Sequence, residues 1–297
     1  MPRAGPTLHA VADLRGWIEL PEGWAREAAR GPWPFVTAER YRRPDGTSIV
    51  WSSRSHRKRS IDPVGSTWWA PRARGWWIGV LFAVGSVCFA LGSFPPYALA
   101  VGESADDVTY FVGSIFFTSA AFLQFREAVL AARGPQSAGA DPTRPGSWRI
   151  LGWAPWRIDW WSTSVQLVGT VFFNVSTFAA TRHGLDVRQA DHRVWMPDVL
   201  GSICFLVASA LAWAEVGHAW LSWRPASLGW RIAAVNMVGS IAFGVSAVAA
   251  YVVPDTGDLA NTALANLGTF VGAVCFFAGA LMLLPERTQA IRPGEPD

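Results

Sequence analysis

Three glutamates raise the first chemical question. Glu127, Glu215 and Glu286 each stand fourteen residues after a glycine, and Gly113, Gly201 and Gly272 each open the same short phrase. Fourteen residues span about 21 Å of helix, close to four turns, so each Gly and its Glu lie on nearly one face. Three carboxylates at one level could form a ring that gathers cations or protons at a mouth. The plainer role is pairing with arginines of neighbouring segments, such as Arg74, Arg157 or Arg231.

Other polar residues support weaker chemistry. Gln166 and Asn236 each precede a phrase glycine by three residues, and Asn174 follows one. They are expected to bond between helices, with a solute path as the alternative. Asp198 stands near the start of an apolar run. Glu215 and His218 form a Glu-x-x-His pair, but a di-iron bundle uses two such pairs plus two further Glu, and the chain has no second pair. His183 and His192, with Asp186 and Asp191, fit no zinc spacing. There is no phosphate-cradling glycine loop, nucleophile elbow or zincin helix. No catalytic, cofactor-binding or metal-ligating residue is expected.

The elements that position these groups are apolar. Of 297 residues, 51% are hydrophobic, and they gather in runs of about 20 with few charges, the length of a bilayer-crossing helix. Two-residue alternation is missing, which argues against a membrane barrel. The 18 Trp collect at the ends of these runs, where amphipathic rings favour the interface. Six spans are expected at 75–97, 108–130, 159–181, 195–217, 230–252 and 262–284. Each carries the phrase Gly, small, Val or Ile, any residue, Phe, opening at Gly85, Gly113, Gly169, Gly201, Gly239 and Gly272. A small residue recurs seven positions after each Gly, a spacing that keeps one face toward a partner helix and lets backbones approach. Cys88, Cys204 and Cys275 occupy the fourth position of their phrases and read as small packing residues, not a disulfide framework.

The odd-numbered spans share a longer signature. Trp69, Pro71, Trp76 and Gly85 recur as Trp153, Pro155, Trp160 and Gly169, then as Trp223, Pro225, Trp230 and Gly239. The copies start 84 and then 70 residues apart, which implies three two-helix hairpins. Pro marks the turn before each span, and the six Trp read as interface anchors. The expected fold is an all-α integral membrane protein. Its divisions are a cytoplasmic segment at 1–67, hairpins at 68–133, 153–221 and 222–285, a Pro- and Gly-rich linker at 134–152, and a tail at 286–297.

Within the first segment, Leu14 to Arg30 reads as at most weakly helical. Residues 35–41 and 47–51 read as a β-hairpin around Pro44-Asp45-Gly46. The basic run Arg54, Arg57, Lys58 and Arg59 precedes the first span, so it reads as a topology determinant and a contact for anionic lipid rather than nucleic acid. Connections 99–107 and 254–261 lack Lys and Arg, whereas 131–158 and 218–229 carry Arg. That asymmetry puts both termini in the cytoplasm and the protein in the cell membrane. The connection 182–194, with Arg182, Arg188 and Arg193, opposes the rule. No cleaved signal segment is expected at Met1 to Gly16.

The two-span unit, with Gly-Ser-x-x-Phe in its helices and Trp ahead of the first, resembles the YrhK-like membrane family over about residues 70 to 285. The resemblance implies tandem two-helix domains and brings no functional residues. The Arg-for-Lys bias suggests a bacterial source. The functions left in view are a membrane scaffold or sensor and, as the alternative, a small channel or transporter along the hairpin seams.

Overall fold

The computed structural model describes Leu20 and residues 22–58, 67–130 and 152–288. The linker expected at 134–152 (all but Gly152), Arg59, Arg133, Arg144, Arg149 and the end of the tail lie outside the described residues.

The N-terminal segment holds more than a hairpin. β2 (Ala38–Arg42) and β3 (Ser48–Ser52) pair antiparallel, with Glu39 opposite Trp51 and Tyr41 opposite Ile49. Asp45 Oδ1 accepts from the Thr47 amide (2.8 Å) and hydroxyl (2.6 Å), and Gly46 takes the positive φ (+82°) that the turn needs. β1 (Ala25–Arg30) then adds to the free edge of β2, making a three-stranded sheet in the order β1-β2-β3. The sequence Ala-Arg-Glu-Ala-Ala-Arg has low strand propensity, yet it forms a strand and not the weak helix its composition suggests. Pairing with a formed edge outweighs intrinsic preference. Glu39 and Tyr41 are buried on one face, while Arg40 and Arg42 are exposed on the other.

β3 runs directly into α1 (Ser53–Lys58), the helix made by the basic run. Six long helices follow: α2 (Arg74–Gly92), α4 (Glu103–Leu130), α5 (Ile158–Ala180), α7 (Met196–Gly217), α8 (Leu228–Ala249) and α9 (Thr262–Thr288). Shorter pieces are α3 (Pro95–Val101) and α6 (Val187–Ala190), the latter joined to α7 by one π-helical turn. Five of the long helices are long and apolar enough to cross a membrane. α5 falls short in apolarity, because Gln166, Asn174 and several hydroxyls interrupt its 23 residues. The expected first span ends early, at Gly92, since Phe94-Pro95-Pro96 starts a new short helix. α4 starts five residues before its expected position, and α9 ends four residues beyond its own.

The long helices pack in a closed ring, α2–α4–α5–α7–α8–α9 and back to α2. The fifth residue of every phrase points to its centre. Phe89, Phe117, Phe173, Phe205, Phe243 and Phe276 are all buried, with neighbouring ring centroids 5.1–6.4 Å apart and mostly edge-on or tilted. Such contacts add to the burial of large rings. The phrase glycines let the paired helices close. A β-carbon on Gly85 would come 3.0 Å from the Gly113 carbonyl. One on Gly201 would come 3.1 Å from the Gly169 carbonyl, and one on Gly272 3.1 Å from that of Gly239. The opposite notches at Gly113, Gly169 and Gly239 are filled by the β-carbons of Cys88, Cys204 and Cys275. A Cβ at any of these glycines would push the helices apart, so the small residues are what the close packing requires.

Candidate functional site

Each of α2, α5 and α8 is entered through the same built corner. The Trp76 indole N–H donates to the Trp68 carbonyl (2.8 Å), Trp160 to Gly152 (2.7 Å) and Trp230 to Ser222 (3.2 Å), always eight residues back. Trp69, Trp153 and Trp223 meet these rings edge-on at 5.3, 5.1 and 4.9 Å. The six Trp thus divide into two kinds. Trp76, Trp160 and Trp230 are buried struts that hold the turn against the helix, and Trp69, Trp153 and Trp223 stand outside, exposed.

At the end of the bundle where these corners lie, the three glutamates meet α1. Lys58 Nζ lies 3.1 Å from Glu127 Oε2. Arg57 places Nη1 3.1 Å from Glu215 Oε1 and Nη2 3.0 Å from Glu215 Oε2, a two-pronged pair. Arg54 holds Glu286 with Nε at 2.7 Å and Nη2 at 3.1 Å. Six helical residues rise only about 9 Å, so one short helix bridges carboxylates from α4, α7 and α9. The expected partners were different. Arg74 and Arg231 are not the partners, and Arg157 turns instead to Asp159 two residues on. The basic run was read as facing lipid. In the structure Arg57 is buried, and the side chains of Arg54 and Lys58 are nearly so.

Asp159 is a fourth carboxylate that sequence reasoning missed. It lies 3.0 Å from Arg57 Nη1 and is buried. A signal existed: Gly75 and Gly229 stand immediately before the strut residues Trp76 and Trp230, whereas Asp159 stands before Trp160. Gly229 shows why the position matters. A β-carbon on Gly229 would sit 3.1 Å from Arg54 Nε and 3.3 Å from Glu286 Oε1. Four cations (Arg54, Arg57, Lys58 and Arg157) therefore face four carboxylates (Glu127, Glu215, Glu286 and Asp159). Burial opposes the charge on Arg57, but Glu215, Asp159 and Glu127 outweigh it and hold its pKa above the usual range.

Two further bonds seat the sheet. The Ser53 hydroxyl donates to Glu215, and the Thr37 hydroxyl lies 2.7 Å from His218 Nδ1. His218 closes α7 with a positive φ (53°). The Glu215-x-x-His218 pair therefore serves α1 and β2 approach: the acid holds α1 and the imidazole meets the residue before β2.

The deeper polar residues do not join this site. The Asn174 amide donates to Thr118 Oγ1 (2.8 Å) and ties α5 to α4. Asn236 lies against Gly279 on α9, and Gln166 is half-buried on α5. At the other end of the bundle, His183 Nε2 contacts Ser104 Oγ at 2.9 Å. Ligand atoms of Glu103, Asp107 and His183 lie within 4.8 Å of one another, at the surface. His183 thus gathers with acids from the start of α4, not with His192 or Asp186. It also puts the connection 182–194 at the same end as Glu103. Comparison of the chain with protein-family models, curated proteins and solved structures returns no match.

Proposed function

We propose that this is a non-catalytic membrane scaffold or sensor that holds its N-terminal sheet against the cytoplasmic end of a six-span bundle of three tandem hairpins. The observation that carries the reading is the seating of α1: three cations of one short helix on three carboxylates, one from each hairpin. A ring built to concentrate permeant cations would have its charge free. Here it is neutralised by the chain itself. The phenylalanine cluster across the bundle centre likewise supports a dry core over a conduction path.

α5 is the sixth span in this reading. At 23 residues it is about as long as α7, packs between α4 and α7, and bonds to α4 through Asn174–Thr118 and Thr177–Ser114 (3.0 Å). The matched Trp, Pro and Gly positions support the hairpin repeat and the likeness to YrhK-like two-helix units. The end bearing α1 is cytoplasmic by the excess of basic residues in its connections, with 182–194 as the exception that the others outvote. Anionic lipid is met at this end by the exposed Arg72 and Arg74. Arg54, Arg57 and Lys58 could join them only with α1 out of its seat.

The test is ion and proton flux in liposomes carrying the full chain. No flux is expected under any imposed gradient. Steady flux that disappears when Glu127, Glu215 and Glu286 are changed together to Gln would overturn the scaffold reading.

A further inference from the structure

The seam where the last helix returns to the first is closed at one end and grooved at the other. Near the α1 end α2 and α9 are in close contact. A β-carbon on Gly79 would meet the Ala280 carbonyl at 3.1 Å and Leu284 at 2.9 Å. Farther along they part. A groove of about 300 Å³ opens between Ser86, Ala90 and Phe94 on one wall and Phe270, Ala273 and Phe277 on the other. That is the lower end of the size range for ligand pockets.

The corresponding seams are tied by hydroxyls. Between α4 and α5, Ser114 reaches Thr177 at 3.0 Å and Thr118 accepts from Asn174. Between α7 and α8, Ser209 and Ser240 are 2.8 Å apart. In α9 the positions matching Ser114 and Ser209 are Ala273 and Ala280. The sixth phrase is the one copy whose second residue has no hydroxyl. Ser86, which matches Ser240, is fully buried, and its Oγ has no hydrogen-bond partner. Ser93, which matches Thr177, bonds back to the Phe89 carbonyl of its own helix instead (2.8 Å). With alanine at both positions, α9 offers this seam neither hydroxyl bridge, and the groove lies along the same stretch.

The geometry points to this cleft as a binding site for one acyl chain of a membrane phospholipid. The inference rests on the membrane reading. α2 and α9 both have the length and apolarity of spans, so the open side of the groove faces hydrocarbon. A helix is about 10 Å across and does not fit. A single extended chain does, with almost wholly apolar walls along its length. Phe94 and Phe270, with centroids 6.3 Å apart, flank the end away from α1, and α3 beyond them exposes Leu99. The lipid therefore belongs to the leaflet opposite α1.

The test uses the full chain, extracted from membranes in mild detergent and examined by native mass spectrometry after graded delipidation, with dioleoyl phosphatidylglycerol as the added probe. One retained phospholipid is expected. Ala273→Phe, which fills the groove, and the paired Ala273→Ser/Ala280→Ser, which restores the bridges, should each lower retention at least tenfold. Leu221→Ala, at an exposed site in the connection after α7, should not change it. Equal retention by all variants, retention of free fatty acid in place of phospholipid, or native protein that bears no lipid would each overturn the site. Recovery from the soluble fraction would instead sink the membrane reading beneath it.

Discussion

Arg57→Met is the most informative single change at the carboxylate ring. Methionine keeps the apolar stem and removes the guanidinium, which makes two contacts to Glu215 (3.0 and 3.1 Å) and one to Asp159 (3.0 Å). Its side chain is 2% exposed, Glu215 2% and Asp159 1%. Breaking so buried a pair costs about 3–5 kcal/mol, mostly because a carboxylate is left buried without its partner. That is roughly a 150- to 5000-fold shift toward an unseated α1, taking RT as about 0.59 kcal/mol. Lys58→Met removes a single contact between side chains 11% and 13% exposed, and should cost about 1 kcal/mol. Amide hydrogen exchange of the purified protein reads the difference. Exchange across 37–42 and 53–58 should accelerate strongly in Arg57→Met and weakly in Lys58→Met, with α8 unchanged. Adding Glu215→Leu to Arg57→Met should recover part of the loss, because the stranded charge is then gone. Equal effects of the two single changes, or protection across α1 untouched by Arg57→Met, would refute the idea that buried charge pairing seats the sheet.

Two other outcomes follow from the packing and the sheet. Gly201→Val should lower thermal stability in detergent by about 1–3 kcal/mol, since its β-carbon meets the Gly169 carbonyl at 3.1 Å and the helices must separate. Val207→Ala, at an exposed position on the same helix, should be close to neutral. Burial raises the pKa of Glu39, and Arg26 only partly opposes this. The contribution of Glu39 to stability is thus full below its unfolded pKa and is lost as pH rises through the folded one. Glu39→Gln should therefore stabilise the sheet more at pH 7 than at pH 4, measured by hydrogen exchange of β2. A larger gain at pH 4 would contradict that sign.

The apolar runs, their glycine phrases and the matched Trp and Pro positions were legible because each depends on local spacing. A helix places residues seven and fourteen apart on one face whatever its neighbours are, so the small notches and the level of the three glutamates could be read directly. Strand β1 was not legible, since Ala25–Arg30 has no strand pattern of its own and forms only against the edge of β2. Partner choice was hidden for a similar reason. Glu127, Glu215 and Glu286 are 69, 158 and 232 residues from Lys58, Arg57 and Arg54. Nothing in linear order sets these pairs above the nearer arginines.

The phrase that opens at Gly85 determined, by itself, where each helix could be approached closely and which phenylalanine would face inward. What only the tertiary structure decided is how the polar remainder is spent. Closing six helices into a ring sets carboxylates from four of them within the reach of one short helix. A buried carboxylate needs a cation, and α1 is the segment delivered there by the sheet. Closure also leaves one seam, α2 against α9, with alanines at the two positions from which α4 (Ser114) and α7 (Ser209) make their bridges. That difference is visible in the sequence as Ala273 and Ala280, but it becomes a groove only when the first and last helices are brought face to face.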